Sequence, residues 1–239
     1  LRSGNPVGAL IRVAPDGART ELFPGALIAP GGMTIARDGT ITTVAGSDQG
    51  YADGSGPSAS FNTPSALAID STGNVIVADT GNNAIRRLTP QGDVSTLAGD
   101  RFAGFRDGAA SEARFNGPVG VAVDTTGRVI VADTYNDRIR AIQPDGHVVT
   151  IAGDGYAGAT DGPADQARFD TPCGVAVAPD GSLYVADMGN GLVRRIDASG
   201  AVATLPLVPD EPFGDTSIVR PIGIAAGRLG FSGFARSIA

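Results

Sequence analysis

Apolar residues along this chain fall into short runs that never exceed the length of a β-strand. ALAID at 66–70 is followed after Ser-Thr-Gly by NVIVAD at 74–79, after Thr-Gly-Asn-Asn by AIRRLT at 84–89, and after Pro-Gln-Gly by DVSTLAG at 93–99. Runs of four to eight β-branched and aliphatic residues bounded by Gly, Pro, Asn and Asp predict strands and tight turns. A helical reading fails, because Gly or Pro interrupts each stretch before about ten residues accumulate. The first two runs are apolar at nearly every position, the pattern of strands covered on both faces. The third and fourth alternate, which places Ile85 and Leu88 inward and turns Arg86 and Arg87 partly outward.

The same block occurs three times, starting at Phe61, Phe115 and Phe169. Pro64, Pro118 and Pro172, like Asp79, Asp133 and Asp187, mark a period of 54 residues. A fixed period of this size identifies a repeat architecture, and four strands per repeat is one blade of a β-propeller. Outside the three copies the pattern thins. Residues 221–226, PIGIAA, read as another inner strand, and residues 9–23, ALIRVAPDGARTELF, as the outer two strands of a blade, so that chain end and chain start would complete one blade together. Residues 29–46, APGGMTIARDGTITTVAG, begin as an inner strand and finish as an outer one. Only 34 residues separate Pro30 from Pro64, so about two strands are missing after Gly39. The expectation is an all-β chain, a β-propeller of four-stranded antiparallel blades forming one domain over residues 1–239, with five blade equivalents, one of them truncated.

The block Pro-x-Gly-Val-Ala-Val-Asp, with x-x-Gly-x-Val-x-Val-Ala-Asp-Thr-x-Asn-x-x-Ile-Arg after it, resembles the NHL repeat over residues 61–205. The resemblance implies a propeller, by family habit of six blades. It also implies a ligand face made by the loops from each outer strand to the next inner strand and by the turns between second and third strands. The repeated Asp79, Asp133 and Asp187, with Asn82 or Asn83, Asn136 and Asn190, match the fixed Asp and Asn of the family at that bend. Their expected role is to bond backbone donors in a tight turn; calcium is the metal such carboxylates could hold instead.

The inter-blade loops are long, and each carries an aromatic residue followed by Asp-Gly: Tyr51 with Asp53, Phe102 and Phe105 with Asp107, Tyr156 with Asp161. A residue that recurs in every blade solves a problem each blade has, so a specific ligand is expected where the copies differ. The second loop, with Arg101, Phe102, Phe105 and Arg106, is the most distinctive, and Arg with aromatic residues is the composition of interface anchors. Tyr51, Asp53, Arg101, Phe102, Phe105, Arg106, Asp107, Tyr156 and Asp161 are therefore the candidate partner-binding residues.

Composition narrows the chemistry. The chain has 239 residues, 35 Gly, 16 Pro, no Trp and no Lys, and a formal charge of −7 with Asp far in excess of Glu. That balance argues against a polyanionic partner, and nucleic acid is not expected. No apolar run reaches a membrane span, and the start LRSGNPVGALIRV has no signal-peptide core. The single histidine, His147, begins an outer-strand run and is expected to be exposed. One histidine cannot supply the multi-histidine zinc site of the amidating lyase that this family resembles. Lactonase-like and strictosidine-synthase-like propellers rely on acidic residues near the channel, often Glu, whereas Glu21, Glu112 and Glu211 here fall in rim strands or loops. Cys173 follows Pro172 and is expected to be a small buried residue. The expected function is a non-catalytic module that presents its inter-blade loops to a protein or peptide, without cofactor. The alternative is a lactonase- or lyase-like hydrolase using channel-mouth carboxylates and calcium. The composition, rich in Arg, Ala, Gly and Asp, suggests a bacterial source and, with the loop type, a secreted, periplasmic or cell-surface location.

Overall fold

A computed structural model describes residues 44–206 continuously, together with the backbone of short strands at 7–8, 11–13, 19–21, 27–28, 221–223, 226–227, 230–231 and 235–236. The chain divides into two compact units, Leu1–Thr42 and Thr43–Ala239. In the first, Ile11–Val13 pairs antiparallel with Arg19–Glu21, the hairpin expected over 9–23. In the second, Pro221–Gly223 is a strand, as PIGIAA suggests, and pairs with Ala235–Arg236. The truncated blade over 29–46 lies for the most part outside the described residues, as does closure between the two chain ends.

Residues 54–204 form three blades of a β-propeller. Blade 1 has strands Pro64–Ile69, Val75–Asp79, Ala84–Leu88 and Asp93–Ala98; blade 2 has Pro118–Val123, Val129–Asp133, Arg138–Ile142 and His147–Ala152; blade 3 has Pro172–Val177, Leu183–Asp187, Leu192–Ile196 and Val202–Thr204. All neighbours are antiparallel, from the inner first strand to the outer fourth. Blades 1 and 2 each gain a fifth, two-residue strand from the loop that enters them. Gly54–Ser55 pairs with the outer strand of blade 1 and Gly108–Ala109 with that of blade 2, and in blade 3 the contact is a single bridge from Gly162 to Val202. The entering loop thus covers the open rim of its own blade before crossing inward, which removes a free edge.

The cores lie between blades. One cluster joins Ile76, Ala78 and Ile85 of blade 1 to Phe115, Val121 and Val131 of blade 2; another joins Ile130, Ala132 and Ile139 to Phe169, Val175 and Val185 of blade 3. The recurring Phe115 and Phe169 are fully buried and wedge neighbouring blades together. Inner strands approach closely where they can: a Cβ on Gly120 would stand 2.4 Å from the carbonyl oxygen of Cys173. Only a glycine permits that contact.

Two expectations change. Inner strands were expected to be covered on both faces; that is so for Val121 and Val175, but the equivalent Leu67, and Ile69 beyond it, are exposed. Val121 and Val175 pack against the blade before them, and blade 1 is the first of the described blades. The second correction concerns Arg86, expected to turn partly outward. It and its equivalents Arg140 and Arg194 have no exposed surface, whereas neighbouring Arg87 is exposed as expected.

Candidate functional site

The reason for burying these arginines is a set of contacts repeated in each blade. In blade 2, Arg140 Nη1 donates to Asp133 Oδ2 at 2.7 Å and to the Arg114 carbonyl at 3.1 Å. Its Nη2 donates to the Arg106 carbonyl at 2.7 Å and to Asp107 Oδ1 at 2.5 Å. Blade 1 repeats this with Arg86, Asp79, Asp53 and the carbonyls of Ser60 and Ala52; blade 3 repeats it with Arg194, Asp187, Asp161 and the carbonyls of Arg168 and Thr160. One buried guanidinium therefore ties two points of the entering loop to the bend after the second strand. A planar group with five fixed donors can do this; a lysine could not.

The bend itself is held by the other groups on these carboxylates. Asp133 Oδ1 accepts the Asn116 N–H at 2.8 Å and its Oδ2 accepts Asn136 Nδ2 at 2.8 Å, while Asn136 also donates to the Gly104 carbonyl. The repeated Asp and Asn thus bond loop donors and acceptors, the structural role expected of them. After the turn the chain passes through a left-handed residue, Asn83 at φ 51° in blade 1 and Asp137 at φ 52° in blade 2, residue types that tolerate it. Those two side chains reach the next blade: Asn83 Oδ1 accepts from Gly117 N–H at 2.9 Å, and Asp137 Oδ1 from Thr171 N–H at 2.8 Å. Burial pushes Asp133 and Asp187 above the usual carboxylate range in spite of these hydrogen bonds and the adjacent guanidinium.

Of the candidate residues, Asp53, Asp107 and Asp161 belong to this framework. Each accepts from its arginine and also from the N–H of an outer-strand threonine, Thr96, Thr150 or Thr204. Partial burial would raise Asp161, but the Thr204 N–H and the Arg194 guanidinium hold it below the usual range. Tyr51 is half-buried: its ring lies under Arg86 at 4.6 Å and its hydroxyl bonds to Thr96. Phe105 is the equivalent of Tyr51, stacked between Arg138 at 3.9 Å and Arg140 at 4.8 Å, yet it remains exposed. Phe102 and Tyr156 form a second equivalent pair, each over a loop arginine, Arg114 or Arg168, at 5.6 Å. Those arginines are held by Asp100 and Asp154. Partial burial pushes Asp154 up, but the hydrogen bond from Arg168 keeps it below the ordinary value. Phe102 and Tyr156 are 64% and 69% exposed. Arg101 and Arg106 are exposed too; Arg101 lies over Tyr51 at 4.8 Å, and Arg106 donates to the Glu112 carbonyl at 3.5 Å and meets its carboxylate at 4.0 Å.

Two residues of this face escaped the reading of the loops. Tyr135, 64% exposed, follows the second strand of blade 2 and rests on Gly117, and Arg138 begins the third strand. Their equivalents are Gly81 and Gly189, and Ala84 and Leu192. The signal was present as a difference between copies, but it fell in the turn between strands rather than in the long loops.

The remaining chemistry lies elsewhere. His147 is exposed, as expected, at the start of the outer strand, the end opposite the inter-blade loop. Cys173 is buried, and desolvation pushes its thiol up to about 11. Among the described residues no group of three or more His, Cys, Asp or Glu stands where it could hold a metal ion, and no helix is long and apolar enough to cross a membrane.

The repeated Asp–Arg–Asn framework coincides with the family signature: the NHL repeat model matches residues 61–88 and 115–142, the first three strands of blades 1 and 2 with the loop segment before each. The chain carries NHL repeats at these two positions, and its described blades are those of a β-propeller. It is 34% identical over 168 residues to Protein SUPPRESSOR OF QUENCHING 1, chloroplastic, of Arabidopsis thaliana, an alignment covering 64% of this chain and 16% of the relative. It is 37% identical over 97 residues to NHL repeat-containing protein 2 of Gallus gallus, covering 40% of this chain and 13% of the relative. The match thus spans less than a fifth of these relatives' length. Among solved structures, virginiamycin B lyase from Staphylococcus aureus superposes with a TM-score of 0.57 at 18% identity, covering 93% of this chain and 69% of the lyase. At that identity the likeness is one of fold.

Proposed function

We propose that this NHL propeller is a non-catalytic binding module, one domain of a secreted, periplasmic or cell-surface protein, whose inter-blade loop face engages a protein or peptide. The observation that carries this reading is the division of labour on that face. Residues that recur in every copy are consumed in the Arg–Asp framework, and the exposed Arg101, Phe102, Phe105, Arg106, Tyr135 and Tyr156 stand at positions whose residue type changes between copies. Exposed aromatic side chains on a rigid support lose little conformational entropy on binding, and aromatic and arginine side chains are favoured interface anchors.

A lactonase- or lyase-like reaction would need a carboxylate on this face available as base or calcium ligand. Asp53, Asp107 and Asp161 are instead bonded to buried arginines, and Asp100 and Asp154 to Arg114 and Arg168. The test is selection of displayed random peptides on the immobilised chain, followed by binding to Phe102→Ala/Tyr135→Ala. The proposal expects selected peptides to lose at least tenfold in affinity for the double variant at unchanged Tm. Equal binding to both proteins, or turnover of a lactone panel that disappears with Asp107→Asn, would overturn it.

A further inference from the structure

Arg101 stands in a backbone conformation that side chains avoid. Its φ is +74°, and the equivalent position in the next loop is glycine, Gly155, at φ +86°. A long β-carbon-bearing residue in the left-handed region is strained, and such strain persists where the side chain is needed. The guanidinium has no structural use comparable to that of Arg140. Among the described residues it makes no ion pair; it lies over the Tyr51 ring at 4.8 Å, and only its backbone carbonyl is held, by Asn83 Nδ2 at 3.3 Å. Asn83 also accepts from the N–H of Gly117, on which Tyr135 rests. One side chain thus links the Arg101 backbone and the Tyr135 platform at the junction of blades 1 and 2.

The surrounding charges point the same way. Arg138 stacks on Phe105 and donates to the carbonyls of Asn136 at 3.1 Å and Asp154 at 2.8 Å, and its charge is shared with the nearby carboxylates of Asp137 and Asp154, so the cations left for a partner are those of the loop before it. Arg106 has only long, exposed contacts with Glu112, to its carbonyl at 3.5 Å and its carboxylate at 4.0 Å. The carboxylates of the same loop are occupied, Asp100 by Arg114 and Asp107 by Arg140. In a chain of net charge −7, this junction therefore carries Arg101 without an ion pair among the described residues, and Arg106 with only a long one, beside exposed aromatic rings.

We infer that the junction of blades 1 and 2 is a docking site for an acidic peptide segment, whose carboxylates pair with Arg101 and Arg106 while its apolar side chains lie on Phe102 and Tyr135. This inference rests on the binding-module reading above and specifies the partner of that face. Charge steers a short acidic segment over distances of about one Debye length, roughly 8 Å at physiological salt, whereas a long polyanion would also meet the acidic remainder of the chain.

The test uses a random peptide library displayed against the whole chain, with an RNA oligonucleotide, oligo(U), as a second probe and Arg101→Gly as the deciding variant. Glycine suits the conformation at 101, so the variant is expected to fold, with Tm unchanged or raised by up to about 2–4 °C. The inference expects selected peptides enriched in Asp and Glu beside an aromatic or aliphatic residue. Their affinity should fall at least tenfold on Arg101→Gly and on replacing their Glu by Gln, and should weaken as salt rises. Selected peptides that bind the face but are neutral or basic would overturn the acidic partner and leave the binding-module reading standing. Failure to enrich any peptide dependent on Phe102 and Tyr135 would overturn both. Tighter binding of oligo(U) through Arg101, or a Tm lowered by more than about 5 °C in Arg101→Gly, which would make the arginine a structural group, would also refute the inference.

Discussion

Replacing Arg140 by Ala removes the centre of one blade's framework. Its guanidinium reaches Asp107 from Nε at 2.9 Å and from Nη2 at 2.5 Å, Asp133 at 2.7 Å, and two loop carbonyls at 3.1 and 2.7 Å. It also faces the Phe105 and Phe115 rings at 4.8 and 5.1 Å. Asp133 has no exposed surface, so truncation leaves a buried carboxylate without its cation. Breaking a buried pair by removing one partner costs about 3–5 kcal/mol. In a protein of this size each kcal/mol lowers Tm by roughly 2–4 °C, so a fall of about 6–20 °C is expected. Exposed Arg87, one residue after Arg86, serves as control, and Arg87→Ala should change stability by no more than about 0.5 kcal/mol. Thermal unfolding measures the totals, and native-state hydrogen exchange locates the effect: the amides of 104–109 and 114–116 should exchange faster in Arg140→Ala before global unfolding. A cost below about 1 kcal/mol, or equal costs for Arg140→Ala and Arg87→Ala, would refute the reasoning.

Three further outcomes follow from the same geometry. Gly120→Ala sets a methyl group 2.4 Å from the Cys173 carbonyl oxygen and should destabilise by about 1–3 kcal/mol through separation of adjacent inner strands, checked by denaturant unfolding. Burial works against the ionised form of Asp70, but hydrogen bonds from Asn74 and Thr72 outweigh it and bring its pKa from 3.8 to about 2. A depressed carboxyl contributes stability that is present above its unfolded pKa and lost as pH falls through its folded one. Asp70→Asn should therefore flatten the decline in stability between about pH 4 and pH 2 seen in acid titration. Finally, Cys173, buried with its thiol pushed up to about 11, should react with a thiol reagent at pH 8 only at the rate of opening of the native state, and rapidly in denaturant.

The strands were legible because their signal is local: apolar runs punctuated by Gly, Pro, Asn and Asp, repeated at a spacing that left one architecture. Turn carboxylates such as Asp133 were legible for the same reason, since they bond donors near them in sequence or fixed by the repeat. Arg86 was not. Alternation places it on an outward face, but the loop around Asp53 folds back over that face and buries it, and the Asp53–Arg86 partnership spans 33 residues. Tyr135 stands where the other copies have glycine, but in a short turn whose pattern of Asp, Asn and Gly reads as structural, so nothing local marks it as a binding residue. The rim strands Gly54–Ser55 and Gly108–Ala109 were invisible because two-residue pairings carry no periodicity.

The most direct measurement of the central claim is hydrogen exchange of the whole chain with and without a peptide selected on it. Protection is expected at 100–106 and 134–138, the junction where the exposed arginines and aromatic residues stand on the buried framework. Protection confined to the turns at the opposite end of the blades, 70–74, 89–93 and 143–147, would place the partner on the other face and contradict the account.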